Sequence, residues 1–552
     1  MTVSAQADVI ANKTFFTSRN ELHQRGREWA ASAHSDKKST KFGANLSVRG
    51  FFSRSTNDKE MGEYFGASRD ATGADAGSVQ VVSASPTNAL YSRDISHDSE
   101  VATGSGALPA AEGKGMTGTL SFKPSQDRFG AMVGYTQSFD VFKWKALKGL
   151  SLHVDMPVMK VQNNLHAAEA GQVASTNTGV AAGSTVSAFF KGLVTKPAGQ
   201  NQQAALTHGL VSFSELDSGV EVGDIRVGLS YDFVEAAHSG IQTHIDMIIP
   251  AGNKANGKHL WEPIAGNNGH IELGVGVDGY MDAWSGKNWN VRLSGGAEYT
   301  YGFVDTEERM LGVFDTKKNA VSPWGHAALA IEDGKKGTFP LANVLTRSVN
   351  VTPGSHFEMT AGATLSFKDF FFNVGYNAYF KQKEAVEMVA NSWKNDHYGY
   401  ADWAYDATVA ADFDAADMFA QVDGNAYKKI APLPYGGSVQ EPGKTSSSNQ
   451  AVEYIGTYTG TTVKHYDGDD YYDKSKIDTN KLTVGASRNY LTTATCTTPD
   501  QEIHSFLVGA GYNGSIKGFP VGLSVNGSCE LAADKAKALQ GWSVCGQICV
   551  GF

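Results

Sequence analysis

Long stretches of this chain alternate between apolar and polar residues with a period of two. In GDIRVGLSYDF, Ile225, Val227, Leu229, Tyr231 and Phe233 share one face, and Asp224, Arg226, Ser230 and Asp232 share the other. In HIELGVGVDGYMDAW, the row Ile271, Leu273, Val275, Val277 and Met281 opposes His270, Glu272, Asp278 and Asp282. NVRLSGGAEYTYGF sets Val291, Leu293, Ala297, Tyr299, Tyr301 and Phe303 against Arg292, Ser294, Glu298 and Thr300. HFEMTAGATLSFKDFFFNVGYNAYF holds two such strands around a tight turn at Lys368-Asp369. A period of two marks strands with unlike faces.

The pattern predicts strands near 42–52, 115–123, 128–139, 149–158, 220–234, 239–250, 269–284, 288–303, 355–368, 370–381, 502–514, 517–530 and 541–552, with a further candidate at 480–490. Most are longer than the roughly five or six residues usual in soluble proteins. Short turns at 124–127, 235–238, 285–287, 368–369 and 514–517 alternate with long connections at 53–114, 251–268, 304–354 and 382–501. Short-then-long is the pattern of periplasmic turns and surface loops. The expected fold is all-β: a transmembrane antiparallel β-barrel of 12–16 strands, 14 preferred, with long surface loops and a short N-terminal helical segment. Strand parity does not close. Counting from either terminus leaves one strand missed or over-assigned around 140–219.

Two features favour a membrane over a soluble sandwich. Aromatics gather near strand ends, as at Tyr299, Tyr301 and Phe303, where interfacial girdles sit. Full charges stand in mid-strand on the polar faces, where a wet lumen tolerates them. The expected lining is Asp224, Arg226, His244, Asp246, His270, Glu272, Arg292, Glu298 and Glu358.

Residues 8–40 do not alternate, and 21–33 suit a short helix. The expected division is 1–40, an N-terminal segment with a signal remnant and a candidate plug, and 41–552, the barrel. Its long loops lie near 53–114, 159–219, 304–354 and 382–501. A tethered tail is the alternative to a plug. A helix near Thr185–Val194 suits a lid or an inward-folded loop.

Composition adds limits. Among 552 residues, 57 are acidic and 47 basic, a net charge of −10 with no basic stripe, which argues against nucleic acid as a partner. No run of 18 apolar residues encodes a membrane-spanning helix, which says nothing about a barrel. Ser4-Ala5-Gln6-Ala7 before Asp8 has the small-x-small shape of a signal-peptidase site, without the regions that should precede it. The four cysteines, Cys496, Cys529, Cys545 and Cys549, form no CxxC pair. Cys545 and Cys549 lie about 13 Å apart along one strand face, too far to bond each other. A disulfide through Cys496 or Cys529 stays open.

The last strand, GWSVCGQICVGF, ends on an aromatic ring. Trp542, Val544, Ile548, Val550 and Phe552 occupy its alternate positions. This tail resembles the C-terminal signature of Gram-negative outer-membrane β-barrels. The resemblance implies an outer-membrane location and recognition of those residues by the barrel-assembly machinery. A weaker likeness lies in the middle of the chain. GDIRVGLSYDF, IQTHIDMIIPAGN and HIELGVGV look like the pattern of fatty-acid and aromatic-hydrocarbon outer-membrane transporters, through Gly223, Asp224, Pro250 and Gly252. That family plugs its barrel with an N-terminal segment. The apolar hatch expected of a fatty-acid carrier is not evident in residues 8–40.

Other motifs read as structure. GVGVDG at 274–279 matches GxGxxG but lies inside a strand with no helix after it. GNKANGKH at 252–259 nears a P-loop, yet His259 stands where magnesium needs Ser or Thr. Its lysines would be solvated or touch lipopolysaccharide. His153-Val154-Asp155-Met156 and His244-Ile245-Asp246-Met247 echo each other; wetted lining is the plain reading and a shared metal the sharper one. The carboxylates Asp467, Asp469, Asp473 and Asp478 approximate a calcium loop, but Tyr472 and Asp478 hold the places of its Gly and Glu. No GxSxG or HExxH occurs, so an enzyme is not expected, nor a cofactor or metal.

The expected function is an outer-membrane channel for passive diffusion of small polar solutes, selected by width and fixed charge. The alternatives are a plugged transporter for hydrophobic compounds and a barrel-anchored surface or adhesion protein. Expected partners are lipid and lipopolysaccharide, the assembly machinery and small solutes. A homo-oligomer would need a flat apolar belt.

Overall fold

The alternating segments close into a barrel in the computed structural model. It describes residues 13–31, 42–65, 117–142, 147–173, 185–194, 204–314, 339–393 and 491–552, with short pieces between. Twelve strands form the ring. They are β1 (Ala44–Ser55), β2 (Ser125–Ser138), β3 (Leu150–Asn164), β4 (Ile225–Ala236), β5 (Ser239–Ile249), β6 (Glu272–Ser285), β7 (Trp289–Gly302), β8 (His356–Phe367), β9 (Phe370–Lys381), β10 (Gln501–Ile516), β11 (Phe519–Ala532) and β12 (Gly541–Gly551). Each pairs antiparallel with its neighbours in sequence, and β1 pairs with β12 from Asn45↔Gly551 to Ser55↔Gly541. Closure satisfies every edge, which a lipid-facing sheet requires.

The apolar rows face outward. Leu229, Ile245, Val275, Phe372, Val508 and Val525 are each exposed on the outer wall. A continuous belt of this kind suits hydrocarbon, not water. Aromatic pairs ring the end with the short turns: Trp289–Phe367 at 4.3 Å between centroids, Phe370–Tyr512 at 5.3 Å and Phe519–Phe552 at 6.2 Å. Tyr299, Tyr301, Phe303 and Phe380 mark the opposite end. The molecule is a transmembrane β-barrel of the outer-membrane type.

Twelve strands replace the preferred fourteen, within the expected range. The over-assigned strand is 115–123 and does not fall in the 140–219 region where the parity error was expected. Thr117–Ser121 alternates, but it pairs with Ser78–Val81 and Ala168–Val173 in a small sheet outside the ring. Its removal restores parity. Strand 480–490 lies outside the described residues, as do Ser4–Ala7 and the carboxylates Asp467, Asp469, Asp473 and Asp478. The β3–β4 seam is the shortest, Leu150↔Tyr231 to Asp155↔Arg226. Beyond it Leu216–Asp217 and Glu221–Val222 cover β3.

The short turns, such as those at Lys368 and Lys517 (both with φ of 51°), lie at one end. At the other, the long connections build a cap with its own apolar core, including Phe65, Phe189, Phe190, Trp324, Leu345 and Val349. Thr185 caps the helix Val186–Phe190 by accepting from the Ala188 N–H, inside the stretch predicted to be helical. Arg309 is buried there between Glu307 (2.8 Å) and Glu384 (2.7 Å), with its guanidinium 3.7 Å from the Phe15 ring centroid. Burial alone would raise the Glu384 carboxyl, but Arg309 and then Lys381 outweigh it and hold it at about 2. A depressed carboxyl stabilises fully above its unfolded value, about 4.3, and loses that contribution as pH falls toward 2. The cap is therefore expected to keep its protease resistance at pH 4.5 and lose it progressively below. Glu384→Gln should remove that pH step and weaken the cap already at neutral pH, because Arg309 keeps only Glu307 as its carboxylate partner; the cost is at most about 3–5 kcal/mol, that of breaking a buried pair. Limited proteolysis across pH reads both.

All four thiols are free. Cys496 is buried in the cap, Cys529 faces outward, and Cys545 and Cys549 face inward.

Candidate functional site

Residues 13–31 enter through the cap and run inside the barrel. Phe15 and Phe16 belong to the cap core. The chain then becomes polar. Asn20 accepts from the Leu22 N–H (3.2 Å) and starts a single 3-10 turn, Glu21–His23. Helix α1 (Arg25–Ala31) follows. Seven residues make a marginal helix in water, so the surrounding wall must hold it.

The wall does so through charge. Arg19 donates to Glu358 at 2.7 Å and lies 4.3 Å from the Tyr379 ring centroid. Asn20 donates to Asp224 at 2.7 Å. His23 Nε2 meets Glu272 at 2.6 Å. Arg25 donates to Glu298 (2.5 Å), to Asp278 (2.9 Å) and to His244 Nε2 (2.6 Å). Arg27 donates to Glu530 at 2.9 Å. Glu28 accepts from Arg226 at 3.0 Å and lies 3.5 Å from Arg49. Arg226 also donates to the Leu22 carbonyl, and Arg128 to that of Arg19 (2.5 Å). Asn373 reaches the Ala30 carbonyl (3.0 Å) and Gln501 that of Thr17 (3.3 Å). The segment thus bonds to β1, β2 and every strand from β4 to β11.

Of the residues expected to line the lumen, Asp224, Arg226, His244, Glu272, Glu298 and Glu358 are buried and bind this segment. Asp246 is buried against His153 at 2.7 Å. His270 sits where wall meets cap, with Nδ1 donating to the Phe303 carbonyl (2.9 Å) and Nε2 beside Glu307 (2.7 Å). Arg292 pairs with Asp282 at 2.7 Å on the wall. All face inward, but in this state they meet protein rather than bulk water.

Asp224 also explains the Gly-Asp and Pro-x-Gly likeness. Its carboxylate accepts from the N–H groups of Asn267 (2.7 Å), Ala251 (3.3 Å) and Gly252 (3.4 Å), tying the loop after β5 to the start of β4. The two His-x-Asp echoes do meet, across one strand rather than across the lumen. His153 reaches Asp246 over Gly228 of the intervening β4, where a Cβ would strike both. Arg226 lies 3.8 Å from Asp155 and 4.0 Å from Asp246, so a guanidinium supplies the positive charge there. GVGVDG lies within β6, and Gly276 leaves room for the His244 ring. GNKANGKH is a loop in which Lys254 pairs with Asp305.

Sequence reasoning missed Arg49, Arg128, Glu530 and Asn373, and it placed Asp278 on the polar face without counting it in the lining. Each sits on the inward phase of an assigned strand, so the alternation held the signal. It also missed a pair of glycines. Gly362 of β8 and Gly375 of β9 lie opposite each other, and a Cβ on either would run into the Trp29 ring. Trp29 itself donates to Ser294 at 2.7 Å. Gly375→Val should expel that ring while leaving the ladder intact, because the nearest atoms to a Cβ there all belong to the ring. The expected readout is a red-shifted, more quenchable tryptophan emission, absent when Trp29 is also Phe.

A polar cavity of about 50 Å³ lies beside the segment, bordered by Arg19, Gln24, Arg27, Arg128 and Glu530. It holds a water or two, not a solute.

No family model matches the chain, and no curated protein does. Among solved structures, it is similar to the COG4313 outer membrane channel from Pseudomonas putida F1, with 9% identity, 92% of this chain and 95% of that one covered, and a TM-score of 0.33. The transport unit of the autotransporter AIDA-I from Escherichia coli gives 7%, 96% of each chain and 0.28. The TodX deltaS2S3 mutant monoaromatic hydrocarbon channel gives 9%, 98% and 95%, and 0.30. Likenesses this distant speak to neither substrate nor mechanism.

Proposed function

We propose that the protein is a gated channel of the Gram-negative outer membrane, closed in this state by residues 13–31, which act as its plug. The observation that carries this is the ring of bonds from that segment to nearly every strand. Withdrawing it would uncover a wall of carboxylates, guanidiniums, imidazoles and amides, so the solutes admitted would be small and polar. Passage would be passive, sorted by the facing charges.

Magnitudes favour a gate over a permanent seal. Buried ion pairs return in attraction roughly what they cost in desolvation, so they fix position more than they add stability. Several buried atoms on the segment, Glu21 Oε1, Gln24 Oε1 and Arg27 Nε, lack a hydrogen-bond partner, each at a cost of about 1–3 kcal/mol. A segment held this way is registered, yet displaceable.

The second reading is a plugged transporter for hydrophobic compounds. The apolar cap favours it, since Phe15 and Phe16 join plug to cap and Trp261 packs at 6.5 Å from Phe16. The third, a surface anchor, needs a plug that never moves. Planar-bilayer recording of the full chain and of the chain lacking residues 13–31 separates them. Openings of the full chain that become steady conductance on deletion support the gated polar channel. A silent deletion variant that still admits an apolar dye into liposomes supports the second, and a full chain that never opens, whatever the deletion variant conducts, supports the anchor.

Trp542, Val544, Ile548 and Phe552 point outward, while Val550 is half-buried. We assign this row of five to recognition by the barrel-assembly machinery during insertion, before β12 closes on β1. The exposed belt contacts lipid, and the cap loops face lipopolysaccharide.

A further inference from the structure

Two clusters of metal-type donors lie between plug and wall, and they differ in one respect. In the first, His244, Asp246 and Glu298 converge. Arg25 already reaches into that cluster, at 2.6 Å from His244 Nε2 and 2.5 Å from Glu298. A second cation has no place there. In the other, His23 of the plug meets Glu272 of β6 and His356 of β8, with one donor atom from each within 4.8 Å of the other two. All three are buried. No guanidinium enters between them: Arg19 is held by Glu358. The Lys381 ammonium lies 3.6 Å from Glu384.

The two imidazole rings lie against each other with centroids 4.0 Å apart and planes tilted by 48°. Protons serve such a trio poorly. One carboxylate can balance one imidazolium, and a second in ring contact with the first would be repelled. A divalent cation uses all three lone pairs at once. Two His and one Glu form a donor set typical of zinc, with an open position for water. Tetrahedral ligands about 2.0–2.1 Å from zinc stand about 3.4 Å apart, so the His23–Glu272 contact, 2.6 Å here, has to open while His356 draws in. A side-chain rotation supplies that.

We propose that His23, Glu272 and His356 form a binding site for a divalent transition-metal cation such as zinc, which fastens the plug to the wall. The binding stands on the cluster alone; the fastening rests on the reading of residues 13–31 as a plug. Because His23 comes from the plug and the other two from β6 and β8, bound metal favours the closed state by its whole differential affinity.

The test is calorimetric titration of zinc chloride into the refolded, chelator-treated full chain, with cobalt as a spectroscopic probe. One zinc per chain is expected, with visible cobalt bands of a four-coordinate nitrogen–oxygen site. His23→Gln and His356→Gln should each weaken binding beyond the roughly 10–100-fold typical of losing an outer-shell partner. His504→Gln, on the outer wall, should leave it unchanged. Circular dichroism confirms that each variant is folded, and deleting residues 13–31 removes His23 without touching the wall. No binding by the full chain, or binding that survives both His23→Gln and the deletion, would overturn the site. Recordings with zinc and then chelator test the fastening separately: chelation should raise open probability. Zinc bound without any change in conductance keeps the site and overturns the latch.

Discussion

Deleting residues 13–31 is expected to turn a silent barrel into a conducting one. The full chain should insert into a planar bilayer with rare, brief openings. The deletion variant should show large, steady steps. The barrel itself should survive, because its ring is closed by β1–β12 pairing that begins at Asn45, beyond the deleted residues. The charge left behind sets the selectivity. The segment's Arg19, Arg25 and Arg27 are removed, which frees Glu358, Asp278, Glu298 and Glu530. Against them stand Arg49, Arg128 and Arg226, the first and last released from Glu28. Four freed carboxylates facing three guanidiniums, with Asp246 and Glu272 nearby, should give a cation preference that weakens at high salt.

Arg226→Met should unseat the segment without shortening it. Arg226 holds Glu28 and the Leu22 carbonyl on the plug, and it lies near Asp155 and Asp246 on the wall. Methionine keeps the length and loses the charge, so three carboxylates lose their shared partner. Removing one member of a buried pair typically costs about 3–5 kcal/mol. Most of that cost should appear as release of the segment, because the wall carboxylates can rehydrate once it leaves. The expected result is frequent opening in recordings and new protease cleavage near residues 25–31, with little change in the barrel's own melting. Glu28→Gln added to Arg226→Met should cost less than the two single changes summed, since the two groups act as one unit. Strict additivity would mean that Arg226 acts elsewhere.

The barrel was legible because its signal is local. Each row such as Leu273, Val275 and Val277 reports its own face, and the turn at Lys368-Asp369 reports its own tightness. Thr117–Ser121 misled for the same reason: alternation shows that a strand has two unlike faces, not which sheet it joins. The inward residues were legible as inward, since Asp224, Glu298 and Glu358 sit on the polar phase. Their partners were not. Glu358 meets Arg19 across 339 positions of sequence, and nothing in either local pattern links them. Residues 19–28 read in isolation as either a plug or a tethered tail, because their apolar counterpart is missing: the surface that orders them is a charged wall. The cap was hidden for another reason. Its core draws Phe65, Phe190, Trp324 and Leu345 from separate loops, each contributing too few apolar residues to show a period.

The most direct test of the central claim is a cross-link inside the lumen. A Cβ on residue 26 would lie 2.7 Å from that of Asn377 on β9, within small adjustment of the roughly 3.8 Å a disulfide prefers. The measurement is peptide mapping of the Gly26→Cys, Asn377→Cys chain, oxidised in native outer membranes. A disulfide-linked peptide pair joining residues 26 and 377, formed in most molecules, is the expected result. Residue 26 found unpaired, and open to a membrane-impermeant thiol reagent, would place the segment outside the barrel and contradict the account.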